Sequence, residues 1–136
     1  MGQYTPAHYH AGRIKRIRLV VIHTMEAPEG PNTAENTAAY FASGNVVASA
    51  HACVDQDSVV ICLPPKDTAF AAPGANADGY QIEHAGYASQ DGAGWADEAS
   101  QSMLRLSAAH AREIAVAAGI PLRHLSDDEL AAGQAG

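Results

Sequence analysis

Two residues fall where their chemistry would be exposed and yet held rigidly. His23 closes the run RIRLVVIHT (16–24), and Thr24 and a Pro- and Gly-punctuated loop follow it. A histidine at the end of a buried strand, facing a loop, suits a ligand or catalyst, and a neutral imidazole there suits zinc. A core histidine with both nitrogens hydrogen-bonded fits the same pattern. Glu83 lies inside the otherwise apolar YQIEHAG (80–86). A carboxylate in mid-strand is costly to bury unless it is paired, hydrogen-bonded or beside a metal. Burial would raise its pKa and suit it to general acid–base work. The bland alternative is a solvent-facing position on an open strand.

The remaining candidates carry less. His84 follows Glu83, so it points to the opposite face and has a structural role. His51, in ASAHACV, shares a face with Ser49 and Cys53. A His-x-Cys pair is weak as a metal motif, and His51 is read as structural or supporting. His110 and His124 fit solvated or packing positions. There is no Gly-x-Ser-x-Gly elbow, no phosphate-cradling loop and no Cys-x-x-Cys. Cys53 and Cys62 are too few for a disulfide scaffold, and fit small buried residues on neighbouring strands.

These residues need elements to position them. The β-branched 16–24 run predicts a strand with Ile17, Leu19, Val21 and His23 on one face. Asn32 with Glu35 resembles a capping box opening a helix to about Ala42, with Ala34, Ala38 and Phe41 on one stripe and Gly44 ending it. Residues 46–54 and 59–63 predict a hairpin about the turn 55–58. Residues 80–86 predict another strand. A long helix spans about Asp97 to Ala118, with Gly119 and Pro121 beyond, and Ser126 with Glu129 caps a short last helix. The order β-α-β-β-β-α-α implies an α/β fold, a mixed sheet covered by helices. Residues 1–13 read as an irregular arm of a single domain covering 1–136.

Bulk properties narrow the function. The 136 residues carry a formal net charge of −7. That argues against nucleic acid as partner and supplies no polybasic patch for anionic lipid. No apolar run reaches membrane-spanning length. The N-terminus lacks the charged and apolar regions of a secretory signal, so synthesis in the cytoplasm is expected.

Three strings in this order resemble one family. VVIHTMEAP is similar to the first zinc-ligand strand of the type-2 N-acetylmuramoyl-L-alanine amidases, a family that includes peptidoglycan recognition proteins. ASAHACVDQDSVVICLPPKDTAFAAPGAN resembles its hairpin and following loop, and GYQIEHAGYA its Gly-Ile-Glu strand. The Met-Glu-Ala-Pro and Glu-His-Ala-Gly-Tyr runs are most similar to lysins of actinobacterial phages. The resemblance covers about 15–120.

The resemblance implies a zinc-dependent endolysin. It would cleave the amide between N-acetylmuramic acid and L-alanine, acting at the bacterial cell wall in a host whose cytoplasm made it. His23 would be the first zinc ligand and Glu83 the catalytic carboxylate, with Thr24, Asn76 and His51 binding substrate or supporting the site. There are departures. Ala50 stands where several members carry a catalytic tyrosine, and Phe70 and Ala71 replace a Trp-His pair. The family's later ligands, in a Gly-His and an Asp-Pro-Gly segment, would begin where this chain ends at GQAG, so the Zn2+ site is expected to be incomplete. Two further readings follow: an amidase needing a second polypeptide for the remaining ligands, and a non-catalytic peptidoglycan-binding module.

Overall fold

The run before His23 forms the outer strand of a four-stranded sheet in a computed structural model that describes residues 3–136. The strands are β1 (Leu19–Thr24), β2 (Ala52–Val54), β3 (Val59–Ile61) and β4 (Gly79–His84). Helix α1 (Thr33–Ser43) follows β1, and α2 (Glu98–Ala118) and α3 (Asp127–Ala131) follow β4. The spatial order is β1-β4-β2-β3. β4 is parallel to both β1 and β2, and β3 is antiparallel to β2. This is the mixed sheet with helices that the element order implied.

Helices cover the two faces unequally. Tyr80 and Ile82 of β4 and Ala52 and Val54 of β2 pack against Met103, Ala111 and Ile114 of α2. On the other face Cys53 and Cys62 meet Ala34, Ala38 and Phe41 of α1. Burying such side chains stabilises by roughly 1.5–3 kcal/mol each for the larger ones. Alanines let α1 lie close, but α1 sits over β2 and β3. The β1–β4 half of that face is left for a cleft. Cys53 on β2 and Cys62, one residue past the end of β3, are buried and form no disulfide.

Several ends fall where the sequence put them. Gly44 and Gly119 close α1 and α2 at φ 80° and 70°, a conformation that favours glycine. Asp97 and Ser126 accept from the N–H groups of Ser100 and Glu129. The capping box at α1 does not form, because Asn32 makes no side-chain cap. Buried Asp55, at the β2–β3 turn, accepts from Ala34 N at 2.9 Å and also from the N–H groups of Asp57 and Ser58. A residue distant in sequence thus takes the N-cap role. The expected 46–54 strand shortens to three residues, since its earlier main-chain groups bond a loop: Ser49 N donates to Phe70 O. The N-terminal arm is irregular in its described part but is pinned by a bridge between His10 and Thr68. Residues 1 and 2 of it lie outside the described residues.

Candidate active site

His23 and Glu83 are register partners on the parallel strands β1 and β4, and Cys53 on β2 is Glu83's other partner. Register neighbours point to the same side of a sheet, so the three share the face that α1 only half covers. His84 points to the other face, where it is buried and shares a 2.5 Å hydrogen bond with Ser107 Oγ. His110 packs there too, 2.8 Å from the Tyr80 hydroxyl.

Gln81, two residues before Glu83 on the same face, fixes the His23 ring. Its amide nitrogen donates to Ala75 O at 3.0 Å, which turns Oε1 toward His23 Nε2 at 2.8 Å. An amide oxygen only accepts. Nε2 therefore carries the proton, and Nδ1 holds the free lone pair. Gly79 makes room for this: a Cβ there would collide with Ala75 O and Gln81 Nε2. The sequence reading missed Gln81, although period-2 alternation from Glu83 was enough to place it on this face.

Glu83 is half-buried at the floor of a cleft of about 440 Å³. The end of β1 and the residues after it form one wall, Thr24, Met25, Ala27 and Pro28; α1 forms the other with Thr33, Asn36, Thr37 and Tyr40. Those four recur at i, i+3, i+4 and i+7, so one helical face looks into the cleft. That polar stripe is legible in the sequence beside the apolar one of Ala34, Ala38 and Phe41. Burial pushes the Glu83 carboxyl up to about 7, and the charge of His23 pulls the other way.

The expected supporting residues lie at different removes. Thr24 lines the cleft and donates its hydroxyl to Glu26. Asn76 sits in the loop before β4, where Oδ1 accepts from the N–H groups of Ala71 and Ala72. It touches the site only through that loop, which carries Ala75. His51 is fully buried behind the strand: Nδ1 accepts from Gln81 N at 2.9 Å, and Nε2 donates to Asp67 O. Burial first of all lowers its pKa to about 4 and keeps the ring neutral.

A catalytic zinc ion normally takes three protein ligands and keeps an open position. His23 Nδ1 is suitably free and oriented from behind by Gln81, and Glu83 adds one carboxylate. No group of three or more His, Cys, Asp or Glu able to hold a metal occurs among the described residues. The residues present therefore do not by themselves fit a catalytic zinc ion.

The sheet order and the His23–Glu83 register define one cleft-bearing face, and comparison with known proteins gives the chain a class. The family described as Amidase_2, N-acetylmuramoyl-L-alanine amidase, matches residues 13–133, and the chain belongs to this family. Among solved structures it is similar to PlyL, with a TM-score of 0.62 and 18% identity over 87% of this chain and 68% of that one. It is similar to a mutant endolysin from Bacillus subtilis, with a TM-score of 0.63 and 14% identity over 90% and 74%. It also resembles Staphylococcus aureus AmiA, a hydrolase solved with its ligand, with a TM-score of 0.61 and 20% identity over 90% and 56%. At these identities the likeness establishes the shared fold. No curated protein matches the chain.

Proposed function

We propose that this chain is the amidase domain of a peptidoglycan-degrading endolysin, cleaving the amide between the lactyl group of N-acetylmuramic acid and L-alanine. The observation that carries the reading is Glu83 on the floor of the cleft, in register with His23, in a chain of the amidase family. A carboxyl titrating near 7 is matched to proton transfer at neutral pH. Glu83 takes a proton from the attacking water and returns one to the departing amine. His23 is held in one tautomer beside it. The α1 face and the wall after β1 bind and orient the chain on either side of the scissile bond. Thr24, Asn76 and His51 support this arrangement: Thr24 at the wall, Asn76 through the loop that carries Ala75, and His51 through the Gln81 main chain.

Zinc dependence, as in the family, requires donors beyond His23 and Glu83, and a second polypeptide could supply them. The outer edge of β1 supports that route. Arg18 O and Val20 N already bond Gly136 there. Alternation along a parallel strand then turns the N–H groups of Ile22 and Thr24 outward as well. A strand laid along this edge would pass His23. No helix among the described residues is long and apolar enough to cross a membrane; the proposed place of action is the cell wall.

Digestion of purified peptidoglycan tests the activity. New L-alanyl amino groups should appear without new reducing sugar, and His23→Ala should release none. Wall binding with no amino groups released would select the alternative, a non-catalytic binding module. Elemental analysis, with and without an added His- and Cys-bearing peptide, tests the metal. No gain in bound zinc would count against completion by a second chain.

A further inference from the structure

Cys53 and Cys62 are the chain's two cysteines, and the reaction proposed above uses neither. Both are free, and their sulfur atoms lie 4.0 Å apart. Cys53 sits on β2 opposite Val60. Cys62 lies one residue past the last paired residue of β3, so the two thiols meet diagonally across the open end of the hairpin. They pack together under Ala34, Ala38 and Phe41 of α1.

The two thiols differ in access. Cys53 is fully buried and lines neither the cleft nor the cavity beside Cys62. Cys62 is 6% exposed and lines that cavity, about 390 Å³ between the N-terminal arm and residues 61–67. A small oxidant can therefore reach the Cys62 sulfur first, and a second thiol stands directly behind it. An accessible thiol with a resolving cysteine beside it is the arrangement of an oxidisable pair. Closing 4.0 Å to a sulfur–sulfur bond of about 2.05 Å requires movement. That movement falls where the register pairs end, so side-chain rotation with a small main-chain shift at Cys62 can supply it.

We propose that Cys62 and Cys53 form a thiol oxidation site, at which a hydroperoxide is reduced and an intrachain disulfide is made. With hydrogen peroxide, Cys62 Sγ attacks one peroxide oxygen. The O–O bond breaks, the other oxygen leaves as water with the thiol proton, and Cys62 becomes a sulfenic acid. Cys53 Sγ then attacks the Cys62 sulfur. The S–O bond breaks, and the hydroxyl leaves as a second water with the Cys53 proton. The two thiols give up two electrons and two protons, and the peroxide takes them. Disulfides persist in oxidising surroundings and not in reducing ones. The pair is thus open in a reducing compartment and closed outside one. Closure ties β2 to the end of β3 beneath the helix that walls the cleft.

The experiment treats the folded, full chain with hydrogen peroxide and reads its mass. The expected product is a monomer lighter by two hydrogens, with a Cys53–Cys62 link in its peptide map, and dithiothreitol should reverse it. Cys53→Ser should stop at the sulfenic acid, which dimedone traps on Cys62. In Cys62→Ser the shielded Cys53 should react roughly ten-fold more slowly or less. Oxygen added at Cys62 of the parent chain without a link, a dimer joined through Cys62, or two thiols still intact would each overturn the inference. Equal rates at Cys53 in Cys62→Ser and at Cys62 in Cys53→Ser would overturn the order of attack. The parent chain's mass decides the disulfide even where a variant fails to fold.

Discussion

Glu83 carries opposite demands. Its carboxyl is raised to about 7 chiefly by burial, so ionising it in the folded chain is unfavourable. Its ordinary pKa is about 4.3–4.5, so the cost grows as pH rises from there through 7. We expect Glu83→Gln to lower the rate of amide hydrolysis by roughly 10²–10⁴-fold and to raise stability at pH 8 by about 1–3 kcal/mol. Denaturant melts and amino-group release would check both; a variant less stable than the parent at pH 8 would refute the burial argument. The wild-type rate should rise through about pH 7 as the carboxyl ionises. At this scale the sequence was informative about His23 and Glu83, because a polar residue in a β-branched run is conspicuous. It was silent on the bond between Glu26 and Ala88, 62 residues apart, which ties the loops after β1 and β4.

Among the elements, α1 depends on a residue outside itself. Asp55 receives the Ala34 N–H and two N–H groups of its own turn, and it is fully buried. Asp55→Ala would leave those donors without a partner and the positive end of the helix dipole uncompensated. A loss of about 2 kcal/mol or more is expected in urea melts. The same variant should loosen the cleft wall, since Thr33 and Asn36 belong to the first turns of this helix. Restoration by Asn, which keeps the acceptor, would separate capping from charge. Element order and most helix ends could be read from period and punctuation. The length of β2 could not, because residues ahead of it bond the 64–78 loop, as Ser49 N does Phe70 O, and no local pattern announces that contact.

For the molecule as a whole, two buried histidines set the acid limit. Burial lowers both His51 and His84 to about 4, against about 6.5 in an unfolded chain. Above pH 6.5 both states hold neutral rings and the contribution is complete. As pH falls toward 4 the unfolded chain binds protons that the folded one refuses, so stability declines by on the order of 3 kcal/mol per ring. Glu83 works against this between about 4.5 and 7. The melting temperature should therefore fall from pH 6.5 to 4, and fall more steeply in Glu83→Gln. A flat profile in that variant would contradict the assignment of both rings as buried and neutral.

Gly79 draws these scales together. It has no functional group, yet the room it leaves is where the Gln81 amide turns to meet His23. A mutational scan scored by wall lysis should therefore find this featureless position as intolerant as its reactive neighbours. Replacement even by alanine would swing the amide aside and free the imidazole to change tautomer. The selection on such a site extends to the hollow behind it, and a comparison that aligned only the reactive side chains would overlook the position that keeps them aimed.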